Sequence, residues 1–112
     1  MTHQAITEAV YYILLSLMKP LHGYGIMQNV EQLSNGRVKL AAGTLYGAIN
    51  TLLEKGWITA AGATSPAIGL SQDKGNRKKE YLITERGKEM LQAEISHLQE
   101  LLENGTRIMK EQ

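Results

Sequence analysis

The chain has no cysteine. Disulfides and thiolate metal sites are therefore excluded, and a reducing compartment such as the cytoplasm fits. It also lacks a long apolar run. The longest, Val10 to Met18, is broken by Ser16 and is too short to cross a membrane, so no membrane partner is expected. No basic stretch opens the chain, so no secretory signal is expected. His3, His22 and His97 lie far apart without metal-ligand spacing. Local sequence suggests no Ser-His-Asp series and no paired carboxylates. These absences point away from an enzyme, a metal and a cofactor. There is no internal repeat and no low-complexity segment.

Strong net charge is missing too: the formal balance over 112 residues is +1. Its distribution is uneven. Residues 1–73 hold four basic and four acidic side chains. Residues 74–88 carry Lys74, Arg77, Lys78, Lys79, Arg86 and Lys88 against Glu80 and Glu85, a local +4. Residues 89–112 carry a local −3. One short segment is basic, and the tail compensates for it.

The segment from Gly43 to Ile58 is the most informative part of the sequence. Leu45, Ile49, Leu52 and Leu53 recur at helical spacing and predict one buried face. Gly43, Tyr46, Gly47 and Asn50 fall opposite, with Thr44 and Thr51 at the edge. This outer face is small, polar and uncharged until Glu54, whereas a solvated helix normally carries more lysine and glutamate. A helix entering a DNA groove needs small residues for close approach and a few hydrogen-bonding tips for base edges. Lys55-Gly56 then stops the helix, and Trp57 begins a strand.

Around it, a first helix is predicted from Gln4 to Met18, with Ile6, Val10, Ile13, Leu14 and Leu17 as its stripe and Pro20 beyond its end. A loop follows. A second helix runs from His22-Gly23-Tyr24-Gly25 to Leu33, with Ile26, Met27, Val30 and Leu33 buried. Gly23 and Gly25 read as a tight helix start rather than a phosphate loop. Ser34-Asn35-Gly36 is a turn. Arg37 to Leu40 alternates as a small strand would. Trp57 to Thr64 and Lys78 to Ile83 read as a hairpin with a long tip. Thr84 is the expected N-cap of a fourth helix. In it Leu91, Ile95, Leu98 and Leu102 follow a heptad seam, Gly105 weakens the end and the last residues fray.

Three helices, a hairpin and a closing helix are the order of a winged helix-turn-helix. The fold class is therefore mainly α with a small β-hairpin: a DNA-binding unit over residues 1–83 and a dimerisation helix over 84–112, in one folding unit. Three segments go further: His22-Gly23-Tyr24-Gly25-Ile26, the stretch Gly43-Thr44-Leu45-Tyr46 through Ile58, and Arg77-Lys78-Lys79-Glu80-Tyr81-Leu82-Ile83-Thr84-Glu85-Arg86-Gly87. Together they resemble the PadR-like family of bacterial transcriptional regulators, in its small subfamily with a single C-terminal helix. Many relatives have Pro where this chain has Gly47, and Ser or Asn where it has Ala41.

The resemblance implies a homodimeric DNA-binding regulator, expected to act as a repressor on promoter DNA. It places Tyr46 at the DNA backbone or a base edge; the competing reading is a tyrosine at the core margin. Asn50 reads as a base or phosphate contact or as a generic exposed Asn. Thr44 reads as a phosphate contact at the helix start or a plain first-turn residue. Gly47 and Thr51 share the expected DNA face, and Tyr24 lies over the backbone or packs in the core. Lys74, Arg77, Lys78 and Lys79 read as phosphate contacts of the wing, or as solvated lysines protecting an edge. Arg37 and Lys39 are weaker candidates. The seam Leu91, Ile95, Leu98 and Leu102 is expected to meet a second copy; packing on its own domain is the alternative. Some relatives bind flat aromatic or hydrophobic compounds between the first and last helices. Tyr11, Tyr12, Ile95 and Leu98 are the candidate lining here, although the fourth helix has no aromatic to stack on a ligand. The rival functions are a ligand-binding or protein-contact winged helix without operator specificity.

Overall fold

A computed structural model of the chain describes residues 6–61 and 79–112. Helix α1 spans Glu8–Ser16, and the Thr7 hydroxyl caps it by accepting from the Val10 amide at 3.2 Å. It ends two residues before the expected Met18. The Leu17 carbonyl instead accepts from the Ile83 amide at 2.9 Å, so the chain leaves the helix to join the sheet. That sheet starts with β1 (Leu21–His22), where a loop was expected. Two residues are too few to show an alternating pattern.

Helix α2 spans Gly23–Leu33 and buries Gly23, Ile26 and Val30; Leu33, expected inside, is exposed. Asn35 and Gly36 both turn through positive φ. Residues 37–40 do not form the expected strand. The Ser34 hydroxyl takes the Val38 amide at 2.9 Å, and the alternating cations serve ion pairs instead of a ladder. Arg37 joins Glu8 of α1 through both terminal guanidinium nitrogens, and Lys39 lies 3.9 Å from Glu31 of α2.

Helix α3 spans Ala42–Lys55 and buries Leu45, Ile49 and Leu52; Leu53, expected with them, is part of the exposed side. Its end is a Schellman turn: the Trp57 amide reaches the Leu52 carbonyl at 3.0 Å, and the Gly56 amide reaches Leu53 at 3.1 Å. This turn needs the φ of +77° at Gly56, which glycine adopts without steric penalty. Strands β2 (Ile58–Ala61) and β3 (Glu80–Ile83) pair antiparallel, Ile58 opposite Ile83. Strand β1 pairs with the other edge of β3, giving the order β1-β3-β2.

One core joins all these elements. Ile13, Leu14 and Leu17 meet Ile26, Val30, Leu45, Ile49 and Leu52, closed from the sheet side by Trp57, Ile58, Tyr81 and Ile83. Each such side chain contributes about 1.5–3 kcal/mol by burial. Ser16 lies within this packing as a polar tie: it accepts from the Asn29 amide nitrogen at 2.9 Å and donates to the Tyr12 carbonyl at 2.8 Å. Its hydroxyl is therefore satisfied although buried.

Helix α4 spans Glu85–Lys110. Thr84 caps it as expected: its hydroxyl accepts from the Gly87 amide at 3.0 Å and donates to the Gly56 carbonyl at 2.7 Å. One side chain thus starts α4 and ties it to the end of α3. Gly87 lies so close that a Cβ there would overlap the Trp57 carbonyl oxygen. The helix passes through Gly105 to Lys110, with Glu111 and Gln112 beyond it and with Arg107 and Lys110 in its last turn complementing the helix dipole.

Candidate nucleic-acid interface

The same periodicity that buries Leu45, Ile49 and Leu52 turns Gly43, Tyr46, Gly47 and Asn50 outward on α3, all exposed. A Cβ at Gly43 or Gly47 would meet nothing within 4 Å, so the middle of this face is bare backbone with open space above it. Tyr46 stands 45% exposed at one margin. Its ring reaches back across α3 to the start of α2, where it lies against Gly23. Thr44 and Thr51, seven residues apart, share the opposite margin. Thr51 there lines a groove of about 230 Å³ with Ile6, Thr7, Val10, Lys55 and Trp57.

No side chain caps α3, because its N-cap is Ala41. The first amides of the helix therefore lack both helical carbonyls and a capping oxygen, and they carry the positive end of the helix dipole. Apart from Glu54 and Lys55 at its end, the exposed side of α3 carries no formal charge. The Lys55 ammonium sits 5.2 Å from the centre of the Trp57 ring.

Among the surrounding candidates, Tyr24 projects from the first turn of α2 and is more exposed than Tyr46. Lys39 is exposed but near Glu31, and Arg37 is held by Glu8. The pairing stabilises both charges: the Arg37 guanidinium lowers the Glu8 carboxyl below its ordinary value, chiefly by hydrogen bonding, and Glu8 raises Arg37. Lys79 is exposed just before β3. Lys74, Arg77 and Lys78 lie outside the described residues. Tyr81 of β3 is buried, which pushes its phenol above the ordinary value, with a further push from Tyr46.

The heptad residues of α4 do not share one environment. Leu91, expected in a seam between copies, is 2% exposed and belongs to the domain's own core, because Gly87 brings the first turns of α4 against Trp57 and Ile83. Ile95, Leu98 and Leu102 are 36%, 42% and 67% exposed. Leu101, Ile108 and Met109 extend that apolar surface. Tyr11 and Tyr12 meet edge to face with centroids 5.8 Å apart and are half-buried at the core margin. Neither they nor Ile95 and Leu98 line the groove beside Thr51. Among the described residues no group of three His, Asp or Glu side chains is placed to hold a metal ion.

Sequence reasoning read Gly23 only as a tight helix start. The signal that it also faces another helix was absent, since nothing local links residues 23 and 46.

A three-helix core, an antiparallel hairpin stem and an outward helix bare at its centre define a winged helix-turn-helix protein. The family model described as "Transcriptional regulator PadR-like family" matches residues 12–93, and the chain belongs to that family of transcription regulators. Solved structures agree at the level of fold. A PadR-like transcription factor from Bacteroides fragilis is 24% identical, with a TM-score of 0.66 over 90% of this chain and 87% of that one. A PadR family regulator from Clostridium difficile R20291 is 21% identical, with a TM-score of 0.65 over 88% and 96%. Bacillus subtilis PadR, solved in complex with operator DNA, is 24% identical, with a TM-score of 0.59 over 76% of this chain and 45% of that one. A comparison with curated proteins gives no match.

Proposed function

We propose that this protein is a homodimeric, sequence-specific DNA-binding repressor of the cytoplasm. In this reading α3 enters the major groove. Gly43 and Gly47 let the helix backbone approach the base edges, and Asn50 offers the paired donor and acceptor that suit an adenine edge. Tyr46, Tyr24 and Thr44 contact the backbone beside it, and Thr51 borders the groove. Lys74, Arg77, Lys78 and Lys79 neutralise phosphates of the duplex, supplying most of the salt dependence, with Lys39 as a minor contributor.

The DNA-binding unit, residues 1–83, and the dimerisation helix, residues 84–112, act together. Ile95, Leu98 and Leu102 of two copies bury one another, which fixes two recognition helices at a set spacing. Repression follows from occupying a promoter. A hydrophobic or aromatic effector held between α1 and α4, near Tyr11, Tyr12, Ile95 and Leu98, would change that spacing and release the DNA.

The observation that carries this reading is the uncharged, glycine-centred face of α3 standing exposed directly opposite its buried face. The test is hydroxyl-radical footprinting of the DNA upstream of its own gene. The expected result is two protected half-sites about one helical turn apart. Uniform or absent protection there and on other promoters would contradict the reading.

A further inference from the structure

We infer that Gly23 is a positioning residue for DNA binding: its missing side chain is the seat that holds the Tyr46 ring at the edge of the recognition face. The inference rests on the DNA-binding reading above. A Cβ at Gly23 would overlap the Tyr46 hydroxyl, come within 2.7 Å of Cζ and touch Cε1 at 3.4 Å. Gly23 is buried, and it has an ordinary helical role with no positive φ that would itself demand glycine. The glycine is thus required by what lies over it, not by its own backbone.

Three elements meet at this point. Gly23 opens α2 directly after β1, β1 pairs Leu21 with Tyr81 of β3, and Tyr46 comes from the second turn of α3. The seat therefore sets the Tyr46 rotamer relative to both the start of α2 and the stem of the wing. A methyl group at residue 23 meets the far end of a flexible side chain, so the ring moves away while the fold survives. Tyr46 is then presented to the wrong place on the duplex.

The test is a double-mutant cycle on the full chain, using Gly23→Ala, Tyr46→Ala and the pair. Operator affinity, thermal unfolding and the ring resonances of carbon-13-labelled tyrosine are measured for each. The expected result is that Gly23→Ala shifts the Tyr46 ring resonance and weakens operator binding about tenfold, the size of one lost hydrogen bond. In the Tyr46→Ala background the same change costs neither affinity nor stability, because nothing remains to be displaced. That double variant folds even if Gly23→Ala alone does not. An equal loss in both backgrounds, or an unmoved ring resonance, would overturn the inference. A wild-type chain that prefers no DNA would overturn the DNA reading and this role with it. The ring resonance would still record, separately, whether the seat exists.

Discussion

Helices α3 and α4 both turn a continuous face to solvent, and the two faces are chemical opposites. On α3 the exposed side is Gly43, Tyr46, Gly47 and Asn50: little volume, open backbone and hydrogen-bonding tips. On α4 it is Ile95, Leu98, Leu101, Leu102, Ile108 and Met109: large aliphatic side chains with nothing polar to offer a nucleic acid. Apolar area of that kind gains free energy only against another apolar surface. A bare face with hydrogen-bonding tips suits, in the reading proposed above, a partner that presents hydrogen-bonding edges at close approach. The amphipathic principle is the same in both helices; what differs is the size and polarity of the side chains each leaves exposed. The α4 face adds a gradient: Leu91 at its start is consumed by the domain's own core, and exposure then rises toward Leu102.

Breaking the α4 face should have the largest effect. Leu98→Asp is expected to convert a dimer to a monomer in sedimentation analysis. Operator affinity should fall by about 100-fold or more as the second binding unit is lost. Tyr46→Ala should weaken operator binding by about 1–2 kcal/mol and leave the dimer intact, measured by anisotropy and sedimentation on the same sample. The double change Lys78→Ala and Lys79→Ala should lower affinity similarly on every sequence. It should also reduce the salt slope by about 1 for each phosphate contact removed.

Gly47→Ala sharpens the contrast. The space above Gly47 is open and the helix propensity gain is about 1 kcal/mol, so the melting temperature should rise. DNA affinity should nevertheless fall, because the added methyl groups occupy the closest approach to the groove. The smallest effect concerns Glu8. Its carboxyl is held below its ordinary value by Arg37, so the pair stabilises the fold above the unfolded carboxylate pKa. That contribution is lost as pH falls through the depressed folded value. The pair is exposed, so Glu8→Gln should lower the melting temperature only slightly, the difference should vanish in high salt, and DNA binding should not change.

Much of this was legible in sequence because the signals were local. The 3.6-residue repeat of Leu45, Ile49 and Leu52, the Gly56 stop and the Thr84 cap each act within a few residues, and each stands where the pattern put it. Readings that depended on tertiary partners went differently. Residues 37–40 alternate in polarity, but Ser34, Glu8 and Glu31 claimed them before any strand could. β1 is too short to have a pattern and exists only because β3 pairs with it. Leu91 and Leu98 are equivalent in a heptad; only the close approach at Gly87 separates them. The meeting of Gly23 with Tyr46 spans two helices and left no trace in either segment.

The most direct test of the central claim is a fluorescence anisotropy titration of the wild-type chain and Tyr46→Ala on upstream promoter DNA and on scrambled DNA, across a salt series. The account predicts tight, steeply salt-dependent wild-type binding with a large preference for the promoter, and promoter binding about 5- to 30-fold weaker in Tyr46→Ala. Equal affinity of the two proteins for both DNAs would contradict the assignment of α3 as the recognition surface.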